Sequence, residues 1–138
     1  MQKSLFWSIL ILSLVITASL AVTKPAQKKP DLVVTKIKAT NPTKQGNKIF
    51  VEYTIKNQGT AASKASAAGI TPLTGSKKIQ QTTPPLGPGQ TTTTTCILDA
   101  NKKGNFNITV SADYLNSNVE LNEANNENTI KFGIGGKF

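Results

Sequence analysis

The stretch Lys48-Ile-Phe-Val-Glu-Tyr-Thr-Ile-Lys-Asn57 decides the fold. Ile49, Val51, Tyr53 and Ile55 fall on one side of an extended chain, and Phe50, Glu52, Thr54 and Lys56 on the other. Apolar residues recurring every second position mark a strand with one face in a core. Residues 105–113 repeat the pattern, with Phe106, Ile108, Val110 and Ala112 expected inward and Asn107, Thr109, Ser111 and Asp113 outward. These two strands are expected at the centre of the core.

Further strands are expected from Leu32 and at residues 65–71, 77–82, 90–98 and 128–132, which brings the number to seven. Asn-, Gly- and Pro-rich turns separate them, such as Asn57-Gln-Gly59 and the run from Pro84 to Gly89. In the first strand Leu32 and Val34 share a parity that Ile37 breaks, so a bulge and an edge position are expected there. Beyond the N-terminal segment no window carries a 3.6-residue apolar period. Seven short strands in about 105 residues suit a two-sheet antiparallel sandwich. Thr91 to Thr95 puts five β-branched hydroxyl residues in a row, which is expected to form a polar edge strand; a hydroxyl-lined ligand surface is the alternative.

The 138 residues hold one ordinary domain and a short appendage. That appendage is N-terminal: Lys3 is followed by an uncharged run from Ser4 to Thr23, apolar almost throughout from Leu5 to Leu14. This is a signal-peptide pattern, read as a signal helix over residues 1–21 with cleavage after Ala21. The alternative is an uncleaved anchor, because an 18-residue apolar run sits at the lower edge of what spans a bilayer. Residues 22–30 have the Lys/Pro composition of a linker, the sandwich is expected over 31–132, and residues 133–138 form a Gly-rich tail. Once the signal is cleaved no stable membrane span is expected.

The net charge is +9, yet all 16 basic residues are lysine, and they are scattered. Without the planar arginine fork that grips phosphates and guanine edges, nucleic acid is not an expected partner. Absence of histidine removes the commonest general base, and Ser63-Lys64 and Ser76-Lys77 are only sequence neighbours, so no catalytic residues and no enzyme activity are expected. Cys96 is the sole cysteine and is read as a small apolar strand residue. No cofactor is expected.

Four of the seven acidic residues, Asp113, Glu120, Glu123 and Glu127, lie close together among many asparagines. Asn116, Asn118, Glu120, Glu123, Asn125 and Asn126 form the candidate binding loop. Oxygen ligands at this density raise Ca²⁺, but EF-hand spacing fails at Leu115 and Ser117 and no glycine makes the turn, so no metal ligand is assigned. The competing reading is a final connection in which these side chains cap backbone amides.

Five motifs in order carry a resemblance: Pro30-Asp-Leu-Val-Val34, Val51-Glu-Tyr-Thr-Ile-Lys-Asn-Gln-Gly-Thr-Ala-Ala62, Leu86-Gly-Pro-Gly89, Gly104-Asn-Phe106 and Glu123-Ala-Asn-Asn126. Over residues 30–132 the chain resembles CARDB, the cell-adhesion-related domain found in bacteria and archaea. The resemblance implies an all-β, seven-stranded antiparallel immunoglobulin-like β-sandwich without catalytic residues. It points to a secreted, extracellular, periplasmic or cell-surface adhesion-type module that binds a protein or a carbohydrate. A second reading is a structural subunit that assembles on the cell surface by strand addition, with the tail from Gly133 to Phe138 as donor; monomer and self-association both stay open.

Overall fold

The computed structural model describes residues 23–40, 48–73, 77–100 and 102–135. The expected signal helix and cleavage site lie outside the described residues. Seven strands follow one another: β1 Leu32–Thr40, β2 Lys48–Asn57, β3 Ser66–Ile70, β4 Ile79–Thr83, β5 Thr91–Asp99, β6 Gly104–Ser111 and β7 Glu127–Ile134. They form a three-stranded sheet in the order β1-β2-β5 and a four-stranded sheet in the order β4-β3-β6-β7, antiparallel throughout. The two sheets stack as an immunoglobulin-like sandwich.

The alternation read in β2 is the alternation observed, since Ile49, Val51, Tyr53 and Ile55 are all buried. Ile108, Val110 and Ala112 face them from the other sheet, joined by Ala68, Ile70 and Ile134. Burial pushes the Tyr53 phenol up to about 12, and its hydroxyl donates to Gln81 Oε1 at 2.9 Å across the open side of the sandwich. Cys96 is buried, and burial also raises its thiol, which keeps it an inert core residue.

The parity break in β1 is a register shift between Val34 and Lys36, and β1 lies at a sheet edge. The threonine run is likewise the edge strand β5, with Thr91, Thr93 and Thr95 exposed. β7 continues past residue 132 to Ile134, whose side chain is buried.

One expectation is corrected. Ser111 and Asp113, assigned to the outer face, are both buried. The strand ends at Ser111, and the chain turns inward through Ala112 to Asp113, which takes a φ of 42°. Ser111 meets Lys78 Nζ at 2.6 Å and also donates to Glu127 Oε1, while Lys78 stands over the Tyr114 ring. These bonds, the one from Lys78 first, hold the Glu127 carboxyl below the usual carboxylate range.

Gly59 marks the closest approach of the leading segment to the sandwich. A Cβ there would sit 2.4 Å from the Lys29 carbonyl oxygen and 2.6 Å from the Asp31 nitrogen, so only glycine lets the segment dock. Docked, Lys29 accepts hydrogen bonds from the amides of Thr60 and Ala61 at 2.9 and 3.1 Å.

Candidate functional site

The connection from β6 to β7 covers one end of the sandwich. Its start is shaped by Asp113, 1% exposed, whose carboxylate accepts the amides of Ser117 at 2.9 Å and Asn118 at 2.7 Å. Asn116 follows with a φ of 51° and donates its amide to the Asp113 carbonyl at 2.8 Å. Asparagine and aspartate tolerate this left-handed backbone better than other side chains, which is why the turn forms without glycine.

Of the six candidate residues, Asn118, Glu120 and Asn126 are buried, Asn125 is half-buried, and Asn116 and Glu123 are exposed. Asn118 Oδ1 accepts the Lys64 amide at 2.7 Å, tying the connection to the chain before β3. Glu120 Oε2 accepts the Leu32 amide at 2.5 Å, and the Glu120 amide donates to Glu123 Oε1 at 2.9 Å. Asn125 Nδ2 donates to Asp31 Oδ1 at 3.0 Å. With its amide nitrogen turned toward the acceptors that ring it, Asn126 donates to the carbonyls of Leu32 and Asn122 at 3.3 Å.

Two buried atoms in this cluster lack a partner, Glu120 Oε1 and Asn118 Nδ2. Burial pushes the Glu120 carboxyl up to about 7; the Leu32 amide opposes this, while the charges of Asp113, Glu123 and Asp31 add to it. Among the described residues no group of three or more Asp, Glu, Cys or His is placed to hold a metal ion. The oxygens nearest in kind are engaged: those of Asp113 by backbone amides, and those of Asp31 by Asn125 and by Gln58 Nε2 at 3.0 Å.

The surface of this end is made by other residues. Val119 is 72% exposed, and Leu115 and Leu121 are also exposed. Val119 lines an open groove of about 360 Å³ with Ala61, Ala62 and the lysines Lys28, Lys29 and Lys64. Sequence reasoning missed this groove, because its walls come from three segments distant in the chain. The one available signal was the aliphatic pair Val119 and Leu121, set among polar residues with no strand pattern around it.

Three-on-four antiparallel stacking, a core drawn from both inner faces and an ordered loop end define an immunoglobulin-like sandwich module. The sequence model of the CARDB family matches residues 29–130, and the chain belongs to that family. CARDB is a non-enzymatic domain family, related by its name to cell adhesion. Among solved structures, the crystal structure of the CARDB domain of the PF1109 protein from Pyrococcus furiosus, in complex with di-metal ions, has 26% identity and a TM-score of 0.66. It aligns over 79% of this chain and 96% of that one. The solution NMR structure of the same domain has 26% identity and a TM-score of 0.64, aligned over 78% and 97%. No curated protein matches the chain.

Proposed function

We propose that this chain is an exported, non-catalytic recognition module of the cell surface that binds a protein or glycan through its loop end. The groove carries this reading: an exposed valine, two alanines and three lysines are among the residues that line it. Apolar contact supplies affinity while the lysines select charge. No aromatic ring lines the groove to stack on a sugar, which favours an acidic segment of a protein that also bears aliphatic side chains. Asn116 and Glu123 are exposed on the same connection, while Asn118, Glu120, Asn125 and Asn126 hold the loop in shape. The export pattern of residues 1–21 supports the location, and the scarcity of nucleophile and base pairs supports the absence of catalysis.

The test is binding to an array of acidic-aliphatic peptides and of surface glycans. Val119→Asp and Lys64→Glu are each expected to lower peptide binding by about tenfold, the scale of one lost apolar anchor or one reversed charge. Thermal midpoints should stay unchanged, because both side chains are exposed. Equal binding by the wild type and both variants would sink the reading.

The metal ions of the archaeal domain raise the same question here, and with the Asp113 and Asp31 oxygens engaged within the chain we expect no cation site. The midpoint of thermal unfolding is expected to be the same with and without millimolar Ca²⁺. A bound cation at a hundred times its dissociation constant would add about 2.7 kcal/mol and raise it visibly.

Assembly by strand addition is the second reading. Gly133 and Ile134 are the last residues of β7, so they are already paired within the domain. The strand that favours assembly is a different one.

A further inference from the structure

An unpaired sheet edge is a row of free N–H and C=O groups, and natural sandwiches blunt such edges with charges, bulges, short strands or covering contacts. Three edges of this domain carry such a device. β1 has the register shift between Val34 and Lys36 and two exposed lysines, Lys36 and Lys38. β4 has only five residues. β7 carries Lys131, and its Asn128 reaches across to the Val34 carbonyl at 3.2 Å.

β5 has none of them before its last residue, Asp99. Its nine residues pair with β2 without a register shift, from Asp99 opposite Lys48 to Thr91 opposite Lys56. From Thr91 to Leu98 there is no charge, no proline and no glycine. The Asn57 amide donates to the Gln90 carbonyl at 2.9 Å, so alternation turns the backbone groups of Gln90 and the even-numbered residues toward β2. Those of Thr91, Thr93, Thr95 and Ile97 point away. The Gln81 amide touches this side at 3.4 Å from the Thr95 carbonyl, a contact too long to close it.

We infer that β5 is a self-recognition edge, to which a second copy of this chain adds its own β5 antiparallel, joining two three-stranded sheets into one of six strands. A second copy fits better than an unrelated strand for a reason of symmetry. Under a twofold axis a strand meets its own reverse, so a charge near its centre meets its like; β5 is free of charge until Asp99. Centred on Thr95, all nine residues overlap, with Thr93 opposite Ile97 of the other copy and Thr91 opposite Asp99. Facing threonines already pair across strands within the domain, Thr54 with Thr93 at 2.9 Å and Thr109 with Thr129 at 2.8 Å. Ile97 is 54% exposed beside its cross-strand neighbour Phe50, 40% exposed, and this apolar pair flanks the new seam.

The seam lies on a different surface from the groove, so either reading can fail without the other. Its test is sedimentation velocity of the full chain in a mild detergent, against Thr93→Pro and Thr93→Lys. Proline removes an outward N–H that β2 does not use, and lysine restores the missing charge. The wild type is expected to dimerise with rising concentration, and both variants to associate at least about tenfold more weakly with little change in thermal midpoint. Amide exchange at Thr93 and Thr95 should slow as wild-type dimer forms. A wild type that stays monomeric overturns the inference, and so does equal association of all three chains, which would place contact in the apolar N-terminal run they share.

Discussion

Asn57→Ala is expected to destabilise the domain by about 4 kcal/mol, the sum of several buried polar groups losing their partners. Asn57 is 0% exposed at the end of β2. Its Oδ1 accepts the amides of Asp31 at 3.1 Å and Gly59 at 3.0 Å, and its Nδ2 donates to the carbonyls of Ala61 and Leu86, each at 2.8 Å. The side-chain amide thus has both donors and both lone pairs in use. Alanine leaves the amides of Asp31 and Gly59 and the carbonyl of Ala61 without this partner, each costing about 1–3 kcal/mol unless water enters the space, whereas the Leu86 carbonyl keeps the Ser63 amide at 2.9 Å.

For a domain of this size such a loss lowers the thermal midpoint by roughly 15–25 °C. Asn57→Asp separates the two halves of the bracket. A carboxylate still accepts from Asp31 and Gly59 but repels the two carbonyls, so the loss should be as large at neutral pH and smaller in acid, where protonation restores one donor. A drop of less than about 1 kcal/mol for Asn57→Ala would show that water replaces the amide and that the bracket is dispensable.

The second large effect is a stability that falls as pH rises. Glu120 is 4% exposed, and burial, against the pull of the Leu32 amide and with the help of Asp113, Glu123 and Asp31, lifts its carboxyl from 4.5 to about 7. The folded chain therefore holds this proton more tightly than the unfolded chain. The contribution is complete below about pH 4.5, is lost between there and about pH 7, and changes little above. A raised value of this size corresponds to at most about 3 kcal/mol. Glu127 acts in the opposite sense, since its lowered value gives stability that disappears in acid.

Denaturant melts at pH 5 and pH 8 should show the wild type losing about 2–3 kcal/mol more than Glu120→Gln over that range. Glutamine keeps an oxygen for the Leu32 amide and carries no charge. It should accordingly be the more stable chain at pH 8. Parallel curves for the two chains would remove Glu120 as the source.

How much of this was legible in the sequence depends on the range of the interaction. Alternation in residues 48–57 and 105–110 reports a local fact, which side of an extended backbone each residue occupies, and the strands follow from it. A broken parity at Ile37 marked the bulge for the same reason. Five consecutive threonines marked an edge, because a central strand would have to bury half of them.

The candidate site was legible only as a segment. Its composition set residues 113–126 apart, but asparagine and aspartate look alike in sequence whether they face water or bracket a buried turn. Asp113 was read as outward by continuing the alternation of β6 two residues too far. Val119 and the lysines of the groove were not connected, because nothing local brings Lys28, Lys64 and Val119 together.

By itself the sequence determined the strands, most of their inward faces and the turns, all of which depend on neighbours in the chain. The tertiary structure alone decided which buried polar groups meet and which edge stays bare. Asn57 acquires its four partners, and Glu120 its raised carboxyl, only when segments up to 88 residues apart are packed against one another and water is excluded from between them.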